Sequence, residues 1–145
     1  LGLIRNHYIG RTFIKPQQTI RDEGVYQKFN PLPNFYKGKK VVLVDDSIVR
    51  GTTIRQIVRM IKEAGAEEIH LRIGSPQVKF SCYFGIDTPH PEELAANRHS
   101  LEELRTWTGV DSLKHLSLAS LAQCLTKPEE YCYACFDGNY PLEME

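Results

Sequence analysis

The hydrophobic pattern is clearest in the middle of the chain, where three periodicities follow one another. Residues 41–44 (Val-Val-Leu-Val) are a continuous apolar run, typical of a central strand of a parallel sheet that is buried on both faces. Apolar residues then recur at helical spacing, and after Gly65, which is suited to end a helix, they alternate as in a strand. These two sets are Ile54, Ile57, Val58 and Ile61, and then Ile69, Leu71 and Ile73. The order predicts a β-α-β unit with parallel strands and a right-handed crossover.

Weaker patterns predict the elements on either side of this unit. Residues 7–14 are compatible with an extended segment, whereas residues 15–40 are polar, lack a clear period and are interpreted as a long functional or mobile loop. Downstream, the sequence predicts a strand or strand edge at residues 83–86, a short helix at 91–94 and a capping box at 100–103. A last strand is predicted at residues 113–116 and a helix at 118–125. The fold class is therefore α/β, with a parallel sheet followed by a helical C-terminal tail.

The composition fits one ordinary globular domain. The chain has 145 residues, of which 41% are hydrophobic and 25% charged, so disorder is not expected. The apolar runs are too short for a transmembrane helix, and residues 1–6 lack the pattern of a signal peptide. We therefore expect no membrane partner and a cytoplasmic location. Because the first residue is Leu rather than Met, we also expect the chain to be part of a longer protein.

The balanced net charge conceals an uneven distribution. Residues 1–40 contain eight Lys and Arg against two acidic residues, a local charge of +6, and the remaining residues carry −6. A basic segment of this kind suggests that the first part of the chain handles an anion. On charge alone, a solvated basic connecting loop is the simpler and favoured explanation.

The strongest chemical signal lies where the residue 41–44 run ends. Asp45 and Asp46 follow it directly, and paired carboxylates there can accept hydrogen bonds from a sugar diol or bind Mg²⁺. The next residues offer successive main-chain N–H groups, a flexible Gly51, and the hydroxyls of Ser47, Thr52 and Thr53 at a helix N-terminus. This combination predicts a cradle for a monophosphate. A simpler interpretation is that Asp46 or Ser47 only caps the following helix.

The motif is neither a Walker A loop nor a dinucleotide-binding Gly-x-Gly-x-x-Gly loop. Residues 41–53 (Val-Val-Leu-Val-Asp-Asp-Ser-Ile-Val-Arg-Gly-Thr-Thr) closely resemble the motif with which the type I phosphoribosyltransferases bind phosphoribosyl pyrophosphate (PRPP). The flanking segments 6–16, 83–89 and 132–141 are similar to those of the glutamine PRPP amidotransferases (amidophosphoribosyltransferases). The resemblance covers essentially the whole chain.

This resemblance implies a partial type I phosphoribosyltransferase fold and a reaction. Enzymes of the family convert PRPP and glutamine to 5-phosphoribosylamine, pyrophosphate and glutamate, the first committed step of purine synthesis. It implies that residues 1–145 are the C-terminal part of the transferase domain, with a flexible catalytic loop at 7–40, a PRPP-binding unit at 41–75, and helices and a Cys-containing tail at 76–145. A glutaminase domain that releases ammonia would lie upstream, so the chain alone is expected to be inactive.

The resemblance also suggests roles for individual residues. The predicted 5-phosphate loop comprises Ser47, Ile48, Val49, Arg50, Gly51, Thr52 and Thr53. Asp45 and Asp46 would bind the ribose hydroxyls and help hold Mg²⁺. The flexible loop would contribute the catalytic residues Tyr8, Arg11 and Lys15, with Arg11 contacting pyrophosphate. For the Arg50 side chain, an ion pair with an acid of the protein is the alternative to a phosphate contact.

The four cysteines raise the question of a metal site. Cys132 and Cys135 have a Cys-x-x-Cys spacing, which by itself is a weak signal. The resemblance implies that Cys82, Cys132 and Cys135 are three ligands of a [4Fe-4S] cluster whose fourth ligand lies upstream; free thiols are the alternative. Cys124 is predicted to lie in the core. The five histidines lack metal-ligand spacing, and we assign Trp107 no function.

Two other function classes stay open from the sequence. A PRPP-sensing transcriptional regulator would keep the cradle without the chemistry, and another type I phosphoribosyltransferase would use a nucleobase. The basic loop and the cysteines favour the amidotransferase. Its expected partners are PRPP, ammonia from glutamine, purine nucleotide inhibitors and further copies of the subunit in a tetramer, with no nucleic acid.

Overall fold

A computed structural model of the chain describes residues 3–5, 29–88 and 90–142. Strands β1 (Leu3–Arg5) and β2 (Phe29–Pro31) form a small antiparallel pair. The main sheet contains β3 (Lys40–Asp45), β4 (Glu68–Ile73) and β5 (Ser112–His115), all parallel and in that order. The helices are α1 (Pro33–Tyr36), α2 (Thr52–Glu63), α3 (Ala95–Arg98), α4 (Leu101–Thr108), α5 (Leu118–Gln123) and α6 (Ala134–Asp137).

The predicted β-α-β unit is confirmed as β3, α2 and β4. Strands β3 and β4 pair in parallel from Lys40 opposite Glu68 to Asp45 opposite Ile73. Gly65 follows the end of α2 with a φ of +95°, a conformation in which a Cβ atom is unfavourable. Strand β5 extends the parallel pairing, which confirms the predicted α/β class.

The core lies between α2 and one face of the sheet. The helix buries Ile54, Ile57, Val58, Met60 and Ile61, and β4 buries all three of its alternating apolar residues. Leu104 of α4 and Leu113 of β5 belong to the same cluster. Each such side chain stabilises the fold by about 1.5–3 kcal/mol when fully buried.

The prediction that residues 41–44 are buried on both faces is wrong. Strand β3 is an edge strand of the described sheet, and the side chains of Val42 and Val44 are 62% and 71% exposed. Val41 and Leu43 point to the α2 side and pack against the core. The apolar run correctly indicates a strand, but no described element covers the sheet face that carries Val42 and Val44.

Two further predictions near the sheet need correction. Residues 83–86 do not form a strand: residues 83–85 are bends, and Gly85 has a φ of +117°, which interrupts an extended backbone. The loop predicted over 7–40 also ends earlier, because residues 29–36 form β2 and α1. Tyr36 is only 4% exposed and belongs to the core cluster.

The C-terminal part is helical, as predicted. A 3₁₀ turn at Pro91–Glu93 leads into α3, and Ser100 and Glu103 form the predicted capping box of α4. Cys124 was expected in the core, but it follows the end of the short α5 helix and is exposed, with its thiol donating to the Ser120 carbonyl at 3.3 Å. Among the described residues, no helix is long and apolar enough to span a bilayer.

Candidate functional site

The two predicted carboxylates lie at the carboxyl end of β3. The Asp46 main-chain N–H donates to Asp45 Oδ1 at 3.0 Å, and the Ser47 hydroxyl donates to Asp46 Oδ1 at 2.9 Å. Burial raises the pKa of the Asp45 carboxyl above its usual range; the neighbouring Asp46 charge adds to this rise, and the Asp46 N–H opposes it. Asp45 is thus a half-buried carboxylate whose charge would be stabilised by a cation or by hydroxyl donors.

The loop after the carboxylates presents unpaired main-chain donors. The N–H groups of residues 47–53 form no hydrogen bond with any described residue, and the first bond of α2 runs from Arg55 N–H to the Gly51 carbonyl. Successive free N–H groups at the N-terminus of a 12-residue helix are suited to bind an anion. Neither Asp46 nor Ser47 caps α2, because its N-cap is Gly51 and no side chain caps it. The simpler capping interpretation is therefore wrong.

The back of this loop is fixed to the protein by three contacts. The Ile48 side chain is 3% exposed, and the Val49 carbonyl accepts a hydrogen bond from the Ala95 N–H at 2.8 Å. Arg50 Nε donates to Glu93 Oε2 at 2.9 Å. The structure thus has the Arg50 side chain in an ion pair, the alternative to a phosphate contact that the sequence left open.

Gly51 turns the chain into α2 in a left-handed conformation, with a φ of +78°. A Cβ atom built there would lie 2.9 Å from Cζ3 of Trp107, which belongs to α4. Sequence reasoning missed the contributions of Trp107, Glu93 and Ala95, because they lie at least forty residues after the loop they support. Only the Gly in the motif signalled a close approach, without indicating what approaches.

The three predicted cluster ligands lie in one region. Burial raises the pKa of the Cys135 thiol, and the neighbouring Cys82 and Cys132 thiols raise it further. The Phe84 N–H donates to Cys82 Sγ at 3.4 Å, and main-chain bonds from Lys79 and Phe80 to the Cys135 carbonyl join the two segments. None of the four cysteines forms a disulfide bond, and Cys124 is exposed at the end of α5. No group of three or more His, Cys, Asp or Glu side chains in the described ranges is arranged to hold a single metal ion.

The predicted catalytic residues Tyr8, Arg11 and Lys15 lie outside the described residues. Their roles, and the flexible loop over 7–28, stay predictions. Of the predicted site, the structure thus describes the carboxylates, the phosphate loop and the cysteines. It brings the first two together at the end of β3.

Comparison with known proteins shows which proteins this chain is similar to. The phosphoribosyl transferase domain model matches residues 6–73. The amidophosphoribosyltransferase of Glycine max, named as chloroplastic, is 57% identical over 99% of this chain and 26% of its own length. The Mycobacterium tuberculosis (strain H37Rv) amidophosphoribosyltransferase is 50% identical over 99% of the chain and 28% of its own length. The chain thus carries part of a phosphoribosyltransferase domain, and almost its whole length is similar to amidophosphoribosyltransferases.

Two solved structures share this fold. The Bacillus subtilis glutamine PRPP amidotransferase complexed with ADP and GMP matches with a TM-score of 0.81 and 49% identity, over 99% of this chain and 32% of that one. A structure described as the allosteric regulatory enzyme of purine biosynthesis matches with a TM-score of 0.83 and 47% identity, over 100% and 32%. The sheet and helices described above are therefore part of a type I phosphoribosyltransferase domain. The chain spans about a quarter to a third of these amidophosphoribosyltransferases.

Proposed function

We propose that this chain supplies the PRPP site of an enzyme that converts PRPP and glutamine to 5-phosphoribosylamine, pyrophosphate and glutamate. The observation that carries the proposal is the row of N–H groups at residues 47–53, directly after the two carboxylates, which bond to no residue that the structure describes. In this arrangement the loop binds the 5-phosphate, and Asp45 and Asp46 accept hydrogen bonds from the ribose hydroxyls.

The reaction needs positioning more than a protein nucleophile. The C1–O bond of PRPP breaks, its electron pair leaves with pyrophosphate, and the lone pair of ammonia forms the new C1–N bond, after which the nitrogen loses a proton. Positive charge develops on the ribose, so a site that fixes the 5-phosphate and excludes water favours ammonia over hydrolysis. We assign Arg11, Tyr8 and Lys15 to a loop that folds over PRPP, as the resemblance implies. The charge of +6 on residues 1–40 suits this loop to contact the anionic pyrophosphate.

Two groups complete the proposal. Asp45 and Asp46 fit Mg²⁺, since carboxylate oxygens are its usual protein ligands and burial leaves Asp45 in need of positive charge. When bound, Mg²⁺ neutralises charge on the departing pyrophosphate. Cys82, Cys132 and Cys135 fit a [4Fe-4S] cluster by donor type, and main-chain bonds from Lys79 and Phe80 to the Cys135 carbonyl join the two segments that carry them. The Phe84 N–H donates to the Cys82 sulfur, as is common around cluster thiolates. A fourth ligand from elsewhere in the complete protein is required.

The expected partners follow from the family. Glutamine would be hydrolysed by a glutaminase domain of the complete protein, and purine nucleotides would inhibit it, since the Bacillus subtilis relative was solved with ADP and GMP. We keep assembly into a tetramer and a cytoplasmic location as proposals; the Glycine max relative is named chloroplastic.

The test is release of pyrophosphate by the complete protein. We expect release that requires PRPP together with glutamine or ammonia, and none with a purine base as acceptor. Activity with a base instead would show another phosphoribosyltransferase. Binding to a DNA duplex that weakens with salt, without turnover, would show a regulator.

A further inference from the structure

Trp107 contacts the point at which the phosphate loop turns into α2. Its Cζ3 atom lies 2.9 Å from where a Cβ atom of Gly51 would be, so the ring fills the space that the glycine leaves. In the described part of the chain, the next side chain is Ile48, with its Cγ2 atom at 3.5 Å. The ring therefore packs directly behind the predicted 5-phosphate site.

The Trp107 ring is itself held between polar neighbours. The Arg55 guanidinium lies 4.9 Å from the ring centroid, within the range of a cation–π contact. The imidazole of His99 stacks on the indole with centroids 5.4 Å apart and planes inclined by 24°. Arg55 belongs to the first turns of α2, so the indole joins that helix to α4 at the level of the loop.

We propose that Trp107 is a positioning residue of the phosphate loop, which keeps Gly51 and the neighbouring N–H groups in the conformation that binds a ribose 5-phosphate. The inference rests on the proposed function, since it assumes that the loop binds that group. An ordered row of main-chain donors pays less entropy when an anion arrives. Trp107 does not touch the ligand in this account; it acts through the loop.

The first experiment measures ribose 5-phosphate binding and steady-state kinetics in the complete protein. Trp107→Leu should weaken ribose 5-phosphate binding and raise KM for PRPP about tenfold, the equivalent of ~1.4 kcal/mol, with kcat changed less than about twofold. Trp107→Phe, which keeps a flat ring, should restore most of the affinity. Phe136→Leu is the matched control: it also removes a half-buried aromatic ring, but from α6, and should leave binding unchanged.

Trp107 also provides a spectroscopic readout, because it is the only tryptophan of the 145 residues. Ribose 5-phosphate should change a fluorescence component that is absent from Trp107→Phe, whereas a ring remote from the loop would give no such component. A wild-type protein that binds neither PRPP nor ribose 5-phosphate would refute the proposed function and this inference together. Normal binding by Trp107→Leu would refute this inference alone.

A double-substitution cycle tests the contact itself. Gly51→Ala introduces a backbone strain and a clash with the indole, and only the clash should disappear when Trp107 is Leu. The loss of ribose 5-phosphate affinity caused by Gly51→Ala should therefore be at least about threefold smaller in the Trp107→Leu background. Equal losses in both backgrounds would show that the ring does not constrain the loop.

Discussion

The Arg50 side chain extends from the phosphate loop to pair with Glu93, whose Oε2 atom lies 2.9 Å from the guanidinium Nε. The two side chains are 30% and 44% exposed, so the pair is screened by solvent and holds the loop only modestly. It nevertheless connects the loop to the segment that also supplies Ala95 N–H.

This ion pair gives a first prediction. Because both partners serve the same contact, Arg50→Ala and Glu93→Gln should each raise KM for PRPP by a similar, small factor of about two to five, corresponding to ~0.5–1 kcal/mol. Steady-state kinetics of the complete enzyme would measure this. A loss of about a hundredfold confined to Arg50→Ala would instead show that the guanidinium contacts phosphate.

The second prediction concerns Asp45. Asp45→Asn should lower PRPP-dependent activity on the order of 10²-fold, as expected when a charge-assisted contact of ~2–4 kcal/mol is lost. Unchanged kinetics would refute its role. Since burial raises the pKa of Asp45, its ionised form is lost at a higher pH than for an ordinary aspartate, so kcat/KM should fall on the acidic side. That acidic limb should be absent from the residual activity of the variant.

A third prediction concerns stability and His115. Burial lowers the pKa of this imidazole, and a ring nitrogen lies 3.3 Å from the Ser75 carbonyl. Because the pKa of His115 is lower in the folded state than in the unfolded state, its contribution to stability is fully present above the unfolded-state pKa. That contribution is lost as the pH falls from the unfolded-state pKa through the folded-state pKa. The melting temperature should therefore fall between about pH 7 and pH 5 less steeply in His115→Asn than in the wild type.

The matched control for this titration is His90→Asn, which changes an exposed histidine. It should keep the wild-type pH dependence of the melting temperature. Parallel curves for the wild type and His115→Asn would show that His115 does not contribute to acid lability.

The cysteines allow a fourth prediction. Cys132→Ser should abolish any brown, iron-containing chromophore of the complete protein, whereas Cys124→Ser should retain it, because the Cys124 thiol lies at the end of α5 and donates to the Ser120 carbonyl. Absorbance together with iron and sulfide analysis measures both. A chromophore retained in Cys132→Ser would show that Cys132 is not a cluster ligand and that other residues hold the cluster.

The sequence predicted the central unit because its signals are local. Ile54 to Ile61 share one helix face, and Asp45 and Asp46 mark the end of β3 within a single continuous segment. The burial of β3 could not be predicted, since an apolar run does not show which elements cover each face, and Val44 is largely exposed.

The remaining errors have the same origin. Cys124 was placed in the core from helical spacing, but α5 ends at Gln123 and the thiol lies beyond the packed face. The contact between Trp107 and Gly51 depends on how α4 packs against α2, which no local pattern encodes. Sequence therefore identified the residues that face a ligand better than those that support them.

The way the loop is anchored has a consequence for natural variation. Ile48 faces the interior, the carbonyl of residue 49 is bonded to Ala95, and the Arg50 side chain is turned to Glu93, so the recognition surface in this stretch is main chain. Amide groups are common to all residues except proline. Homologous enzymes should therefore accept diverse non-proline residues at position 49, where the main-chain carbonyl and N–H are used rather than the side chain, while tolerating almost no replacement of Gly51.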